Sequence, residues 1–322
     1  MRWLPENKGF VITGKPRSAP IEDRWQVWYV PFPSGEPEKV TNDASQYSAL
    51  TLTSDARTAL VLQSNFASNI WVMPAGDFAR HRQVTNSNGV ISEVSWTSGG
   101  QIVYSSAATG RYMDLWIMNA DGSGNRQLTF TADRHELEPS LSSDGRHVVF
   151  TTFHSGLRTI SRIAIDGGAV KELVRNVGEY SEPQVSADGQ FVYYNSRDET
   201  GSPTFWKVPF EGGVPVKARE KSACRFSRDE KWLACGHRDD APDAVMKLLI
   251  ITAADGKVVR TLDWPPEAQG LYWSHDAQAL DFIANREGVH NVYRLTIATG
   301  KEQRLTDWQT PVDLWYFASS LD

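Results

Sequence analysis

Three glutamates occupy one repeated place in the chain. Glu93, Glu138 and Glu182 each stand six residues before a turn residue, namely Gly99, Asp144 and Asp188. Carboxylates gathered at such a spacing suit a cation, calcium above all because it takes several oxygen ligands, or a basic peptide. The plainer reading is that each glutamate bonds backbone or an arginine of the neighbouring unit. Since the residue belongs to a repeated phrase, that locking role is the expected one. The segment HRDDAPD, with His237, Asp239, Asp240 and Asp243, carries metal-ligand residue types but reads more simply as a solvated acidic loop. RHELEP places His135 and Glu136 beside Glu138, which suits a general acid/base pair or, more simply, a polar loop.

Aromatic and arginine side chains are typical binding anchors. Tyr47, Tyr112, Tyr180, Trp264 and Trp308, with Arg111, Arg158 and Arg197, fall in or beside long connections and are expected to be exposed there. Trp71, Trp116 and Trp206 instead recur at one strand position and are expected to pack in the core. No GxSxG nucleophile elbow, P-loop or kinase HRD/DFG set occurs. The seven histidines are scattered, without HExxH or clustered metal spacing. The sequence therefore predicts no catalytic residues.

The elements that must position these residues repeat. Aligned on the turn, Asp55, Gly99, Asp144, Asp188, Asp229 and Asp276 are separated by 44, 45, 44, 41 and 47 residues. A fixed period in that range marks a repeat architecture. EPSLSSDGRHVVF at 138–150 returns as EPQVSADGQFVYY at 182–194. Apolar and β-branched runs bounded by such turns read as strands. A third strand (DLWIM, TFWKV, NVYRL), a second turn and a fourth strand ending in QLT or RLT follow. Four antiparallel strands per unit imply an all-β, seven-bladed propeller, with six or eight blades as alternatives. The units run approximately 1–43 plus 309–322, 44–86, 87–130, 131–175, 176–217, 218–262 and 263–308 of one domain spanning 1–322. The first unit lacks a good innermost strand, and residues 312–322 are expected to supply it and close the ring.

In a four-stranded meander, the connection into the first strand and the one between the second and third share a face. That face carries the long segments 15–24, 108–113, 131–139, 197–203, 237–244 and 263–270, and long loops on a rigid scaffold concentrate binding residues. The candidate ligand set is Tyr47, Glu93, Arg111, Tyr112, His135, Glu138, Arg158, Glu182, Arg197, His237 and Trp264. Cys224 and Cys235 flank the turn SRDEK. A symmetric turn sets them opposite one another, whereas a one-residue bulge points them apart as free thiols, the expected outcome.

With 322 residues, 40% hydrophobic, the chain is long enough for a large core. A net charge of −6 argues against nucleic acid. No basic run suits an anionic membrane surface, no apolar stretch is long enough to span a bilayer, and MRWLPENKGF lacks a secretory profile. The chain is thus expected to be soluble, either mature or a piece of something larger.

The phrases EPSLSSDG, DLWIMNADGSGNRQLT and EPQVSADG resemble TolB-type, WD-like propeller repeats, whose pattern is EPxWSPDG, an apolar strand, DIW, DG and RLT. The match covers almost the whole chain, and its best copies lie in the third to fifth units; the sixth departs with Asp-Glu and MKLLI. The resemblance is strongest to the propellers that form the C-terminal, extracytoplasmic half of bacterial serine/threonine protein kinases. It implies a non-enzymatic sensory or binding domain for a protein, peptide or small ligand, covalently linked to a partner domain. Outside that context a cytoplasmic location is expected. The alternatives are a peptide gate for a prolyl-oligopeptidase-like hydrolase, or a lone lyase or lactonase with a channel-mouth metal. No cofactor is expected beyond a calcium ion.

Overall fold

The computed structural model describes residues 1–309, apart from 17–23, 44, 66–67, 75–79, 88, 109–111, 179–180, 228, 239–244 and 275. Arg111, Tyr180, Asp239, Asp240, Asp243 and the expected closing strand at 312–322 lie outside the described residues.

Each copy of the SxDG phrase builds the same hairpin. The Asp144 carboxylate accepts from the Ser142 hydroxyl at 2.6 Å and the Arg146 N–H at 2.9 Å, while the Ser142 hydroxyl oxygen accepts from the His147 N–H at 2.9 Å. Ser186–Asp188, Ser227–Asp229, Ser274–Asp276 and Thr53–Asp55 repeat the arrangement. The next residue turns left-handed. Gly145 (φ 68°) and Gly189 (φ 69°) adopt that conformation without strain, whereas Ala56, Glu230 and Ala277 hold φ of 51°, 51° and 54° against it.

The third and fourth strands are tied by a second repeated lock. The Thr129 hydroxyl oxygen accepts from the Leu115 N–H at 2.8 Å, and Asp114 accepts from the Thr131 N–H at 2.9 Å. Asn291 with Thr306, and Asn69 with Thr85, do the same work one or more repeats away. The D-I-W…L-T pattern is thus a hydrogen-bonding device that buries its own polar groups in pairs.

These devices produce six four-stranded antiparallel meanders and two two-stranded pairs among the described residues. The meanders span residues 2–39, 91–127, 135–177, 184–220, 222–263 and 268–304, and the pairs lie between Gln46 and Gln83. The fold is all-β, of the β-propeller type, with a 3-10 turn at Pro5–Asn7. The first meander has its own innermost strand, Arg2–Trp3, which corrects the expectation of an empty place. The Pro5–Asn7 turn reverses the chain so that Arg2 pairs with Val11 and Trp3 with Phe10.

Apolar residues fill the spaces between successive sheets rather than one central core. Val103, Leu115 and Ile117 of one meander pack on Val148, Phe150 and Ile163 of the next, and Leu248 and Ile250 pack with Leu280 and Phe282. Each fully buried side chain of this size contributes about 1.5–3 kcal/mol. Trp206 stacks on Tyr194, but Trp71 is 48% exposed and does not join the core expected for it. Among the described residues it lies on a two-residue strand paired with Arg82–Gln83, in a two-stranded rather than a four-stranded sheet.

Candidate functional site

The three glutamates come together through a bulge in the innermost strands. Pairing in His135–Leu141 shifts register between Leu137 and Ser140, and Glu138 in that gap takes φ 55°. Glu182 takes φ 41° at the same place, with Ala49 (φ 49°) and Gly270 (φ 64°) in other repeats. A bulged residue leaves its N–H outside the ladder. The preceding glutamate satisfies it: the Glu138 N–H donates to Glu93 Oε2 at 3.4 Å, and the Glu182 N–H to Glu138 Oε2 at 3.0 Å.

The series continues past the glutamates. Glu182 pairs with Arg225 at 3.0 Å, and the Arg225 guanidinium lies 4.7 Å over the Tyr272 ring. Glu93, Glu138, Glu182, Arg225 and Tyr272 thereby link five successive meanders. Burial raises the Glu138 carboxyl above its ordinary range, although the Thr151 and Ser181 hydroxyls donate to it at 2.7 and 3.0 Å and Arg158 lies 3.8 Å away. Burial alone would lower Arg225; the Glu182 carboxylate beside it prevails and holds it above its usual value. Tyr272 is raised, chiefly by burial.

The carboxylates are therefore directed at protein donors and balanced by Arg158 and Arg225. Among the described residues no group of three or more His, Cys, Asp or Glu side chains is arranged to hold a metal ion. Arg225 and Tyr272 were not singled out from the sequence, yet a signal exists. Both stand four residues before the turn Asp, in the two repeats whose glutamate place holds Ala223 or Gly270. Side chains two apart on a strand share a face, so a large polar group there takes over the missing reach.

Of the other candidates, several are inside rather than on the loop face. Tyr47 is 7% exposed in a cluster with Val27 and Leu50, and its hydroxyl donates to Asp43 at 2.8 Å, which raises its pKa. His135 is 2% exposed; its Nδ1 accepts from the Met113 N–H at 3.3 Å, and its ring meets Tyr112 edge-on. An inward register in the first strand puts it there, so in place of the expected polar loop His135 and Glu136 are two buried side chains of a strand. Arg158 lies over Phe153 and beside Glu138, drawn inward by that carboxyl. Trp264 packs on the apolar cluster containing Leu280 and over Gly236, where an added Cβ would come within 3.0 Å of its ring.

Others remain at the surface. Arg197 donates to the Gly201 carbonyl at 2.7 Å and so braces its own loop. His237 Nδ1 lies 3.0 Å from the Lys221 carbonyl. Trp308 donates its N–H to Asn291 at 2.9 Å. Tyr112 lines an open cleft of about 900 Å³ with Asn42, Asn86, Tyr104, Trp116 and Asn125.

Cys224 and Cys235 form a disulfide, contrary to the expected free thiols. The Ser222–Phe226 and Trp232–His237 strands pair without a bulge, so the two residues stand directly opposite, with Cα atoms 4.1 Å apart. Both are buried, at 2% and 0% exposure.

A β-propeller whose charged inner residues hold its sheets together is the class that fold and site define. No family model matches the chain. Among curated proteins, the Tol-Pal system protein TolB of Francisella tularensis is similar, 29% identical over 86 residues; that match spans 27% of this chain and 20% of the relative's length. Among solved structures, TolB from Acinetobacter baumannii aligns over 92% of this chain and 63% of its own, at TM-score 0.59 and 16% identity. A chain of a nidogen/laminin complex aligns over 79% of this chain and 86% of its own, at TM-score 0.56 and 10% identity. A prolyl endopeptidase structure aligns over 92% of this chain and 50% of its own, at TM-score 0.50 and 13% identity.

Proposed function

We propose that this chain is a protein-binding propeller module that engages its partner through the long-loop face, as part of a larger bacterial signalling protein. The observation that carries this reading is the use of the inner charges. Glu93, Glu138 and Glu182 are spent on neighbouring backbone and arginines, which suits a rigid platform better than a reaction centre. The likeness to TolB over most of the chain, and to a chain solved within a nidogen/laminin complex, supports recognition of a protein. The Cys224–Cys235 disulfide supports an oxidising compartment, and so an extracytoplasmic location. Among the described residues no helix is long and apolar enough to cross a membrane.

Photo-crosslinking tests this directly. A crosslinker at Arg197 or His237 on the loop face should trap one protein, while one at Asp144 or Asp121 on the opposite turns should trap none. Adducts from the turn positions alone would reverse the assignment of faces. A second reading, a peptide gate, is favoured by the prolyl endopeptidase likeness. It predicts a hydrolase domain in the same reading frame, which sequencing the flanking DNA decides.

A further inference from the structure

Glu136 is the second residue of the innermost strand His135–Leu141 and is 1% exposed. Its N–H donates to the Met113 carbonyl at 2.8 Å and so stitches the 135–177 meander to the one before it. Its Oε2 is buried without a hydrogen-bond partner among the described residues. From the Asp114–Asn119 strand, the Asp114 carboxylate is close enough to disfavour the ionised form of Glu136; Asp114 is itself 4% exposed, held by the Thr131 N–H at 2.9 Å, the Thr131 hydroxyl at 3.1 Å and Gln127 at 2.9 Å. Thr129 approaches from the segment after the fourth strand, Arg134 from the preceding loop, and Thr152 stands opposite in the adjacent strand. His135 lies alongside, held by Met113 and Tyr112.

Two carboxyl groups in one water-poor place cannot both ionise cheaply. We propose that Glu136 is a proton-operated latch between these two meanders, closed while its carboxyl is neutral and loosened when it ionises beside Asp114. Burial first, and Asp114 with it, push the group up to about 7 from an ordinary 4.5, against the opposing influence of Thr129, Leu115 and Arg134. The latch lies two residues before Glu138, whose carboxyl holds the Glu182 N–H, and directly after the 131–134 loop. Ionisation therefore loosens the inner belt and the loop face together. The sign follows from the raised value. Between about 4.5 and about 7 the native chain keeps a proton that the unfolded chain has released, so stability falls as pH rises through that window and levels off above it.

Urea unfolding of the whole chain at about pH 5.5 and about pH 8 tests the latch, with an unfolding constant at least about tenfold larger at the higher pH expected. Glu136→Gln should remove most of that difference, and Asp114→Asn should shift the transition to lower pH by relieving Glu136's ionised form. An unchanged pH dependence in Glu136→Gln would overturn the proposal. Should that variant not fold, carboxyl-carbon NMR of the native chain decides alone. A Glu136 midpoint near 7 supports the latch, and one in the ordinary carboxyl range sinks it.

Discussion

Two belts run between the sheets, one near the innermost strands and one at the outer rim. The inner belt is Glu93, Glu138, Glu182, Arg225 and Tyr272, with every charge at least partly buried and most contacts made to backbone N–H or to an opposite charge. The outer belt is made by arginines near or in the fourth strands. Arg82 donates to the Ala120 and Asp121 carbonyls, Arg126 to Ile165, Arg219 to Gly256 and Arg260 to Ala298, in each case on the turn of the next sheet. Three boundaries, those between 91–127 and 135–177, 184–220 and 222–263, and 222–263 and 268–304, carry a contact from each belt. The belts differ in solvent. A charge screened by water contributes little when paired and loses little when unpaired, whereas a buried partner left behind carries its full desolvation penalty. The inner belt therefore governs whether the sheets stay together, and the outer belt trims their angle.

The sharpest way to break that comparison is Glu138→Ala. It removes the acceptor for the Thr151 and Ser181 hydroxyls and the Glu182 N–H, and leaves Arg158 facing no charge. A loss of about 3–5 kcal/mol is expected, read as the urea midpoint. Next comes the covalent tie within the belt's fourth meander. Replacing Cys224 and Cys235 together with serine should cost about 2–3 kcal/mol for a loop this short, and reductant should reproduce the loss in the native chain. Arg225→Met exposes a milder dependence, because Glu182 retains 39% side-chain exposure and water takes over part of its partner's role; about 1–2 kcal/mol is expected. Calcium separates a lock from an ion site. Adding calcium or a chelator should move the melting temperature by less than about 1 °C if the glutamates only bond protein groups.

The period of the repeats made the sheets legible, because the SxDG and D-I-W…L-T phrases encode hydrogen bonds between residues near in sequence. The three glutamates were legible as one set for the same reason. Their partners were not, since Arg225 and Tyr272 act across a sheet boundary from a place two residues along, and a reading aligned on the glutamate passes over them. Nearness to long connections predicts surface positions for Tyr47 and Arg158, whereas the strand register turns Tyr47 inward and the Glu138 carboxyl draws Arg158 in. The cysteines turned on one residue of turn geometry, since a bulge would have separated what direct register joins.

The outer belt yields the smallest and most discriminating prediction. Arg126→Ala deletes a 2.8 Å hydrogen bond to the Ile165 carbonyl, a bond longer in sequence reach than any within a meander. If reach between sheets were what mattered, its loss should approach that of Glu138→Ala. If burial is what matters, the exposed carbonyl simply takes a water, and the cost stays below about 1 kcal/mol. Combining Arg126→Ala with Arg260→Ala should then give an additive loss, since the two sites share no partner. A cooperative loss of several kcal/mol would mean that the rim also carries the ring, and the division between the belts would fall.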